Sequence, residues 1–182
     1  MEVTPLAIAG VFLITPRMFA DERGMFFESW NARQFDAAIG RPVSFAQDNQ
    51  SVSHRGVIRG LHYQLPPNVQ GKLVRCVSGA VFDVAVDMRR SSPSFGQWAG
   101  AELSAANGRQ MWIPEGFAHG FVALADETIV LYKATALYYP AAERAVRWDD
   151  PDLAIAWPPA GPPVLSDKDR AAPLLGAADT FA

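Results

Sequence analysis

Two short stretches of the sequence decide the fold: Arg59-Gly60-Leu61-His62-Tyr63-Gln64 and Pro114-Glu115-Gly116-Phe117-Ala118-His119. After the first stretch, six residues separate Lys72 from Gly79, and before the second, five residues separate Gly108 from Pro114. Each stretch therefore places a histidine at a fixed distance from turn-forming glycine or proline. This spacing follows a two-part β-barrel motif in which side chains from separate strands face one cavity.

The motif is that of metal-binding cupin barrels, but most of its metal ligands are replaced here. Its first half reads His-x-His followed by Glu, whereas this chain has His62-x-Gln64 followed by Lys72. Its second half ends in His and a later Asn, where this chain has His119 and Ala123. A divalent metal needs about three suitable protein ligands. Two histidines, one amide and one ammonium do not supply them, so we expect a cavity without a metal.

Most of the chain is patterned as short β-strands between Gly and Pro turns. Apolar, β-branched or alternating segments predict strands at residues 10–15, 25–30, 43–48, 110–114, 120–124 and 128–134. Residues 72–77 and 80–87 flank Ser78-Gly79 and are predicted to form a hairpin. In its second arm, Val81, Asp83, Ala85 and Asp87 share one face. We expect an all-β, cupin-type jelly-roll barrel or sandwich with a few short helices.

Two helices are predicted beside the strands. Asn31 is a candidate N-cap for a helix over residues 32–39, which ends at Gly40. The sequence also allows a short helix near residues 166–172.

The length of the chain and the proline-rich composition of its C-terminal part indicate one domain. A chain of 182 residues suits a single domain with a sizeable core. From Tyr139-Pro140 onward, prolines cluster and the periodicity weakens. We expect residues 1–182 to form one domain whose C-terminal segment, about 140–182, packs over the barrel.

Composition and charge exclude several classes of function. The formal net charge is −3, with basic and acidic residues interspersed. No basic stripe exists, so a nucleic-acid partner is not expected. No segment approaches the roughly 20 apolar residues of a membrane helix, so a membrane partner is not expected either. The single cysteine, Cys76, suits a reducing compartment, and we expect a cytoplasmic protein.

Four side chains are candidates for catalysis. His62 and Lys72 occupy cavity-facing motif positions, although a packed histidine and a solvated lysine are the ordinary alternatives. A lysine in an apolar pocket would stabilise a developing enolate oxygen. Tyr132 lies on an apolar strand and is either a core tyrosine or a general acid. Asp169 belongs to a polar turn, unless the C-terminal segment folds over the barrel and pairs it with an imidazole.

Several motifs in order make the chain similar to the dTDP-4-dehydrorhamnose 3,5-epimerase family, whose members are cupin-fold enzymes of nucleotide-sugar biosynthesis. The resemblance covers about residues 21–169. It rests on the two stretches above and on residues 21–28, 47–51, 70–74, 131–133, 143–144, 148–151 and 165–169.

The resemblance implies metal-free epimerisation of dTDP-4-dehydro-6-deoxy-D-glucose at C3 and C5, in dTDP-L-rhamnose biosynthesis. His62 would be the base, oriented by Asp169. Lys72 would stabilise the C4 enolate, and Tyr132 would return a proton to the opposite face. No cofactor is implied, because a proton leaves and a proton returns.

The resemblance also implies a set of substrate-binding residues and a homodimer with an exchanged amino-terminal strand. Arg23, Arg59 and Lys168 would bind the diphosphate, and His119 would contact a phosphate or the sugar. The other members are Phe26 and Tyr138 for thymine stacking, and Glu28, Gln47, Asn49 and Glu143.

Three alternatives stay open from the sequence. One is a single-position epimerase or ketoisomerase acting on a related dTDP-4-keto sugar. Another is a non-catalytic cupin that binds nucleotide sugars, and the last is a metal-dependent cupin oxygenase, against which the ligand count speaks.

Overall fold

The computed structural model describes residues 1–182 and contains two large antiparallel β-sheets and a separate two-stranded one. The six-stranded sheet contains, in spatial order, β1 (Glu2–Pro5), β2 (Phe12–Thr15), β10 (Gln110–Ile113), β7 (Lys72–Ser78), β12 (Thr128–Ala134) and β5 (Gln47–Ser53). The five-stranded sheet contains β13 (Glu143–Ala145), β6 (Ile58–Gln64), β11 (Phe117–Ala123), β8 (Ala80–Asp87) and β9 (Trp98–Ser104). The two-stranded sheet pairs β3 (Met18–Asp21) with β4 (Gly24–Phe27).

The main core lies between the two large sheets. It combines residues of the six-stranded sheet, such as Val74 and Val130, with residues of the five-stranded sheet, such as Val81, Ala85 and Phe121. Side chains of a strand alternate between its two faces, so the neighbouring residues of β8 point away from this core. The arrangement is the predicted all-β jelly roll.

Helix α1 (Ala32–Ile39) covers the outer face of the six-stranded sheet. The Asn31 side chain accepts a hydrogen bond from the Gln34 N–H, and Gly40 ends the helix in the left-handed conformation, as predicted. Phe35 is buried against Trp112 of β10, with ring centroids 5.3 Å apart. This packing closes one side of the sandwich.

Two strand predictions are wrong. Residues 72–78 and 80–87 do not form a hairpin, because β7 pairs with β10 and β12 whereas β8 pairs with β11 and β9. Gly79, with φ +71°, turns the chain from one sheet to the other. The strand predicted at residues 43–48 forms instead at Gln47–Ser53. Val43 and Phe45 lie before this strand, and their side chains pack against Phe35 and Trp112.

The C-terminal segment packs on the outer face of the five-stranded sheet. Val146, Leu153 and Ala178 join a second buried cluster with Val84 and Val86 of β8. The segment contains 3₁₀ turns at Pro140–Ala142 and Leu175–Ala177 and the short helix α2 (Asp167–Arg170), N-capped by Ser166. The helix lies within the range predicted for it, and the segment brings Asp169 back to the barrel.

None of the helices combines the length and apolar character needed to cross a membrane.

Strands β6 and β11 carry the two cavity histidines at one level of the sheet. His62 lies opposite His119 in the antiparallel register. Next to His119, the two strands approach each other through glycine: a Cβ built on Gly120 would meet the Arg59 carbonyl oxygen at 2.7 Å and the Gly60 Cα at 3.1 Å. Only a residue without a side chain fits there.

We expect Gly120→Ala to destabilise the fold by about 1–3 kcal/mol, because the methyl group meets backbone that cannot move without disturbing the ladder. Gly176→Ala is the matched control, since a Cβ there meets nothing within 4 Å. Urea unfolding of both variants measures the difference. Equal stability of the two variants would contradict the close approach.

Candidate active site

A cavity of about 750 Å³ opens between the two large sheets. Its walls contain all four proposed catalytic residues, His62, Lys72, Tyr132 and Asp169. They also contain most of the proposed binding residues, namely Asn49, Arg59, His119, Tyr138, Glu143 and Lys168. The volume is within the range of small-molecule sites.

His62 and Asp169 form a hydrogen-bonded pair at the cavity wall. Asp169 Oδ1 lies 2.5 Å from His62 Nε2, and Asp169 is nearly fully buried while a quarter of the His62 side chain is exposed. Burial alone would raise the pKa of Asp169, but the hydrogen bond from His62 and the His62 charge hold it below the usual range. A carboxylate here accepts a hydrogen bond from Nε2–H of His62, which leaves Nδ1 with a free lone pair that can act as a base.

Lys72 is a buried ammonium at the floor of the cavity. Its Nζ donates to the His62 carbonyl oxygen at 3.1 Å and lies 6.0 Å from the centroid of the Tyr132 ring. Burial lowers the pKa of Lys72 to about 8, although Asp83 and Glu143 oppose the shift. A weakly solvated positive charge in this position would stabilise an oxyanion strongly.

Tyr132 faces the cavity from β12. Burial, assisted by the negative charge of Glu143, raises the pKa of its hydroxyl above the ordinary value of 10.0. Tyr132 therefore holds its proton at neutral pH and can act as an acid.

A polar cluster lies at the mouth of the cavity. Glu143 accepts hydrogen bonds from Lys168 Nζ at 2.7 Å and from the Tyr138 hydroxyl at 2.9 Å. Burial would raise the pKa of Glu143, but these two donors hold it low. Gln47 does not line the cavity; its side chain bonds Asn49 and the Tyr138 backbone N–H, each at 2.8 Å.

Arg59 is held against strand β5. It donates from Nε to Ser53 Oγ and from its terminal nitrogen to the Val52 carbonyl oxygen, each at 3.1 Å. The guanidinium therefore lines the cavity in a fixed orientation.

Four predicted binding residues do not line the cavity, namely Gln47 and three residues in or next to the β3–β4 pair. Arg23 is 83% exposed and pairs with Asp21 in the turn between β3 and β4, and Phe26 is 73% exposed. Glu28 accepts hydrogen bonds from the side chains of Asn31 and Gln34. Within one chain, this segment lies apart from the site that the resemblance assigned to it.

The sequence analysis did not identify two polar groups at the site: Ser51, which lines the cavity, and Asp83, which lies behind His119. Asp83 lies 2.7 Å from His119 Nε2 and is fully buried, and Ser51 has a buried hydroxyl without a hydrogen-bond partner. The signal for Asp83 was in the sequence, since a carboxylate on the apolar face of a strand is rarely buried without a purpose. Ser51 had no such signal, because a serine in a polar strand is ordinary.

No group of three or more His, Cys, Asp or Glu side chains is placed to hold a metal ion. Both cavity histidines instead bond a carboxylate through Nε2.

Comparison with known proteins gives a consistent result. A sequence model of the dTDP-4-dehydrorhamnose 3,5-epimerase family matches residues 5–177. The chain is 58% identical to the dTDP-4-dehydrorhamnose 3,5-epimerase of Pseudomonas aeruginosa over 181 residues, covering 100% of this chain and 99% of the relative. It is 56% identical to the enzyme of the same name from Salmonella typhimurium, with 96% of each chain covered.

A solved structure extends the similarity to the fold. The crystal structure of a 3,5-epimerase from Legionella pneumophila, in complex with dTDP-4-keto-L-rhamnose, superposes with a TM-score of 0.94 at 47% identity. The match covers 98% of this chain and 94% of the other. In agreement with the order of motifs along its sequence, the chain belongs to the dTDP-4-dehydrorhamnose 3,5-epimerase family.

Proposed function

We propose that the protein epimerises dTDP-4-dehydro-6-deoxy-D-glucose at C3 and C5, forming dTDP-4-dehydro-L-rhamnose for dTDP-L-rhamnose biosynthesis. The observation that carries the proposal is the His62–Asp169 pair facing the same cavity as a buried Lys72 and Tyr132. The family supplies the substrate, since the relative from Legionella pneumophila binds dTDP-4-keto-L-rhamnose.

The reaction begins with proton removal next to the C4 ketone. Both C3 and C5 adjoin this ketone, so removal of either proton gives an enolate whose charge is shared with the C4 oxygen. His62 takes the proton, and Asp169 fixes its tautomer and stabilises the imidazolium that forms. Lys72 stabilises the C4 oxyanion.

Inversion requires a proton to return to the opposite face. Tyr132 lies on β12, in the other sheet from His62 on β6, and its hydroxyl keeps its proton at neutral pH. We assign it as the acid for this step. Because a proton leaves and a proton returns, the proposed reaction has no redox step and requires no cofactor.

The mouth of the cavity is suited to the nucleotide. Lys168 and Arg59 supply positive charge for the diphosphate, where charge-assisted donors bind best. Tyr138, about half exposed, offers a ring face for thymine stacking, while Gln47, Asn49 and Glu143 order the polar rim.

We further propose a homodimer in which the β3–β4 arm of one chain completes the site of its partner. Within the chain, β3 and β4 pair only with each other, and the arm exposes Phe19, Met25 and Phe26. Such clustered apolar side chains are typical of a protein interface. The arrangement would bring Arg23, Phe26 and Glu28 to a substrate that they do not reach in their own chain.

Residues 1–182 are proposed to act as one catalytic domain, because the C-terminal Asp169 completes a dyad with His62. We place the enzyme in the cytoplasm, on the basis of its single, buried, unpaired cysteine, Cys76.

The direct test is incubation with dTDP-4-dehydro-6-deoxy-D-glucose in D2O, with NMR detection of the C3 and C5 protons. We expect deuterium at both carbons without added metal or cofactor. Exchange at one carbon only would indicate a single-position epimerase, and binding without exchange would indicate a non-catalytic cupin.

His62→Asn should lower exchange at both carbons by about 10²–10⁴-fold, because one base serves both positions.

Tyr132→Phe should reduce net inversion more than the initial loss of the substrate protons, because only the returning proton is affected. The same NMR assay measures both quantities. If Tyr132→Phe kept full activity, Tyr132 would not be the proton donor.

The kcat/KM of the enzyme should fall as the pH rises through about 8. Lys72 has a lowered pKa in the folded protein, so its ammonium form is lost above that pH. Rates between pH 6.5 and 9.5 test this expectation. In Lys72→Arg, which stays charged, the alkaline limb should disappear even if the overall rate is lower. If kcat/KM of Lys72→Arg still fell above about pH 8, the fall would be caused by the titration of another group.

Mixing two inactive variants tests the exchanged arm. His62→Asn removes the base, and an Arg23→Ala/Phe26→Ala variant removes the arm contacts. A mixed dimer should recover activity, because one of its sites combines an intact barrel with an intact arm. The variants are refolded together and compared with each alone. If mixed dimers formed but showed no activity, the arm would not complete the partner's site. It would then belong to the site of its own chain or take no part in the reaction.

A further inference from the structure

A second His–Asp pair, which the proposed mechanism does not use, places its histidine at the cavity wall and its carboxylate behind that wall. Asp83 of β8 is fully buried, and its Oδ1 lies 2.7 Å from Nε2 of His119. Its other oxygen, Oδ2, is buried without any hydrogen-bond partner. The pair lies beside the first one, because His119 faces His62 across the β6–β11 ladder.

Stability does not explain a carboxylate at this position. Burying a charged oxygen without a donor costs free energy, and a well-packed apolar residue would avoid that cost. The neighbours on the same face of β8, Val81 and Ala85, belong to the apolar core. The Oδ2 atom of Asp83 therefore costs stability, and the only hydrogen bond of the carboxylate serves His119.

The hydrogen bond determines what His119 offers to the cavity. A carboxylate can only accept, so Nε2 carries the proton and Nδ1 has a free lone pair. The His119 ring lines the cavity, and Nε2 is occupied by Asp83, so Nδ1 is the nitrogen available to a ligand. Burial lowers the pKa of His119, and the nearby Lys72 and His62 charges lower it further, against the opposing effect of Asp83.

We propose that Asp83 is a positioning residue, which holds His119 in the Nε2–H form so that Nδ1 accepts a hydrogen bond from a hydroxyl of the bound sugar. The inference rests on the proposed function and refines it. A neutral imidazole presenting a lone pair repels a phosphate oxygen, which is also an acceptor. His119 therefore contacts the sugar rather than the diphosphate.

The groups facing His119 come from four strands. Asp83 approaches from β8, His62 from β6 and Lys72 from β7. The Tyr132 ring, on β12, has its centroid 6.4 Å from that of His119. Lys72 and a charged His62 both disfavour an imidazolium at His119, so Asp83 is the one neighbour that favours protonation.

The tautomer can be observed directly, because the chain has only three histidines. Two-bond ¹H–¹⁵N correlation spectra of ¹⁵N-histidine protein, assigned with His54→Asn and His62→Asn, report the state of each ring. We expect His119 to be neutral with its proton on Nε2 at pH 7. An imidazolium or an Nδ1–H form in the wild type would overturn the proposal.

Two substitutions separate positioning from packing. Asp83→Leu removes the acceptor, whereas Asp83→Asn removes the charge but keeps an amide oxygen that can accept from Nε2–H, which makes it the conservative comparison. Loss of one ordered hydrogen bond should lower kcat/KM for the nucleotide sugar by about 10-fold or more. Binding of dTDP alone should stay within about twofold. The melting temperature of Asp83→Leu should fall, because the buried Nε2–H of His119 loses its acceptor.

Asp87 of the same strand is the matched control. It accepts hydrogen bonds from Arg89, Ser92 and Ser94, and although burial opposes the shift, these donors hold its pKa at about 2. Asp87 bonds none of the residues that line the cavity, whereas Asp83 bonds His119, which does. Asp87→Asn should therefore lower the melting temperature and leave kcat/KM unchanged, so a loss of kcat/KM distinguishes Asp83 from a carboxylate that only stabilises the fold.

Three results would contradict the proposal in separate ways. Wild-type kcat/KM in Asp83→Leu would show that the carboxylate positions nothing. If Asp83→Leu lowered the melting temperature, kcat/KM and dTDP binding together, Asp83 would have a structural role only. A wild-type protein that exchanges neither sugar proton would overturn the proposed function itself, and the histidine spectra would still report whether Asp83 sets the tautomer.

Discussion

The hydrogen bond between His62 and Asp169 is the contact on which the site depends. It joins residues 107 positions apart, one on a central strand and one on a four-residue helix in the C-terminal segment. Two kinds of contact hold the segment in place. Val146 and Leu153 pack on the five-stranded sheet, and just before the helix the backbone of Val164 exchanges hydrogen bonds with Gly56 and Ile58. Packing and backbone pairing outside the cavity thus fix the geometry of the His62–Asp169 pair.

Low solvent access gives the polar groups of the cavity their properties. Burial lowers the pKa of Lys72 and His119 and raises that of Tyr132, because each shift avoids or neutralises a charge away from water. The result is an acid that keeps its proton, a cation that is easily neutralised and an imidazole that presents a lone pair. A barrel that has Gln64 and Lys72 at motif positions for metal ligands therefore presents ionisable groups of graded acidity to its cavity.

Within a single chain, the residues proposed to act on the sugar come together, whereas several of those proposed for the nucleotide do not. Strands of the two large sheets fix His62, Lys72 and His119, whereas Arg23 and Phe26 belong to the separate β3–β4 pair. Rigid strands place the reacting groups within tenths of an ångström, as proton transfer requires. An arm can supply contacts for the nucleotide, where less precision is needed.

The sequence by itself determined the fold class, the helix at Ala32–Ile39 and the identity of the cavity histidines, because motif spacing and capping residues act locally. It also placed Lys72 and Tyr132 on strands that face one cavity. Only the tertiary structure decided which strands pair: Lys72–Ser78 and Ala80–Asp87 have the pattern of a hairpin but lie in opposite sheets, since strand partners are chosen by packing across the core. Only the tertiary structure decided the Asp83–His119 contact, because the direction of a buried hydrogen bond depends on which side chains meet between the sheets.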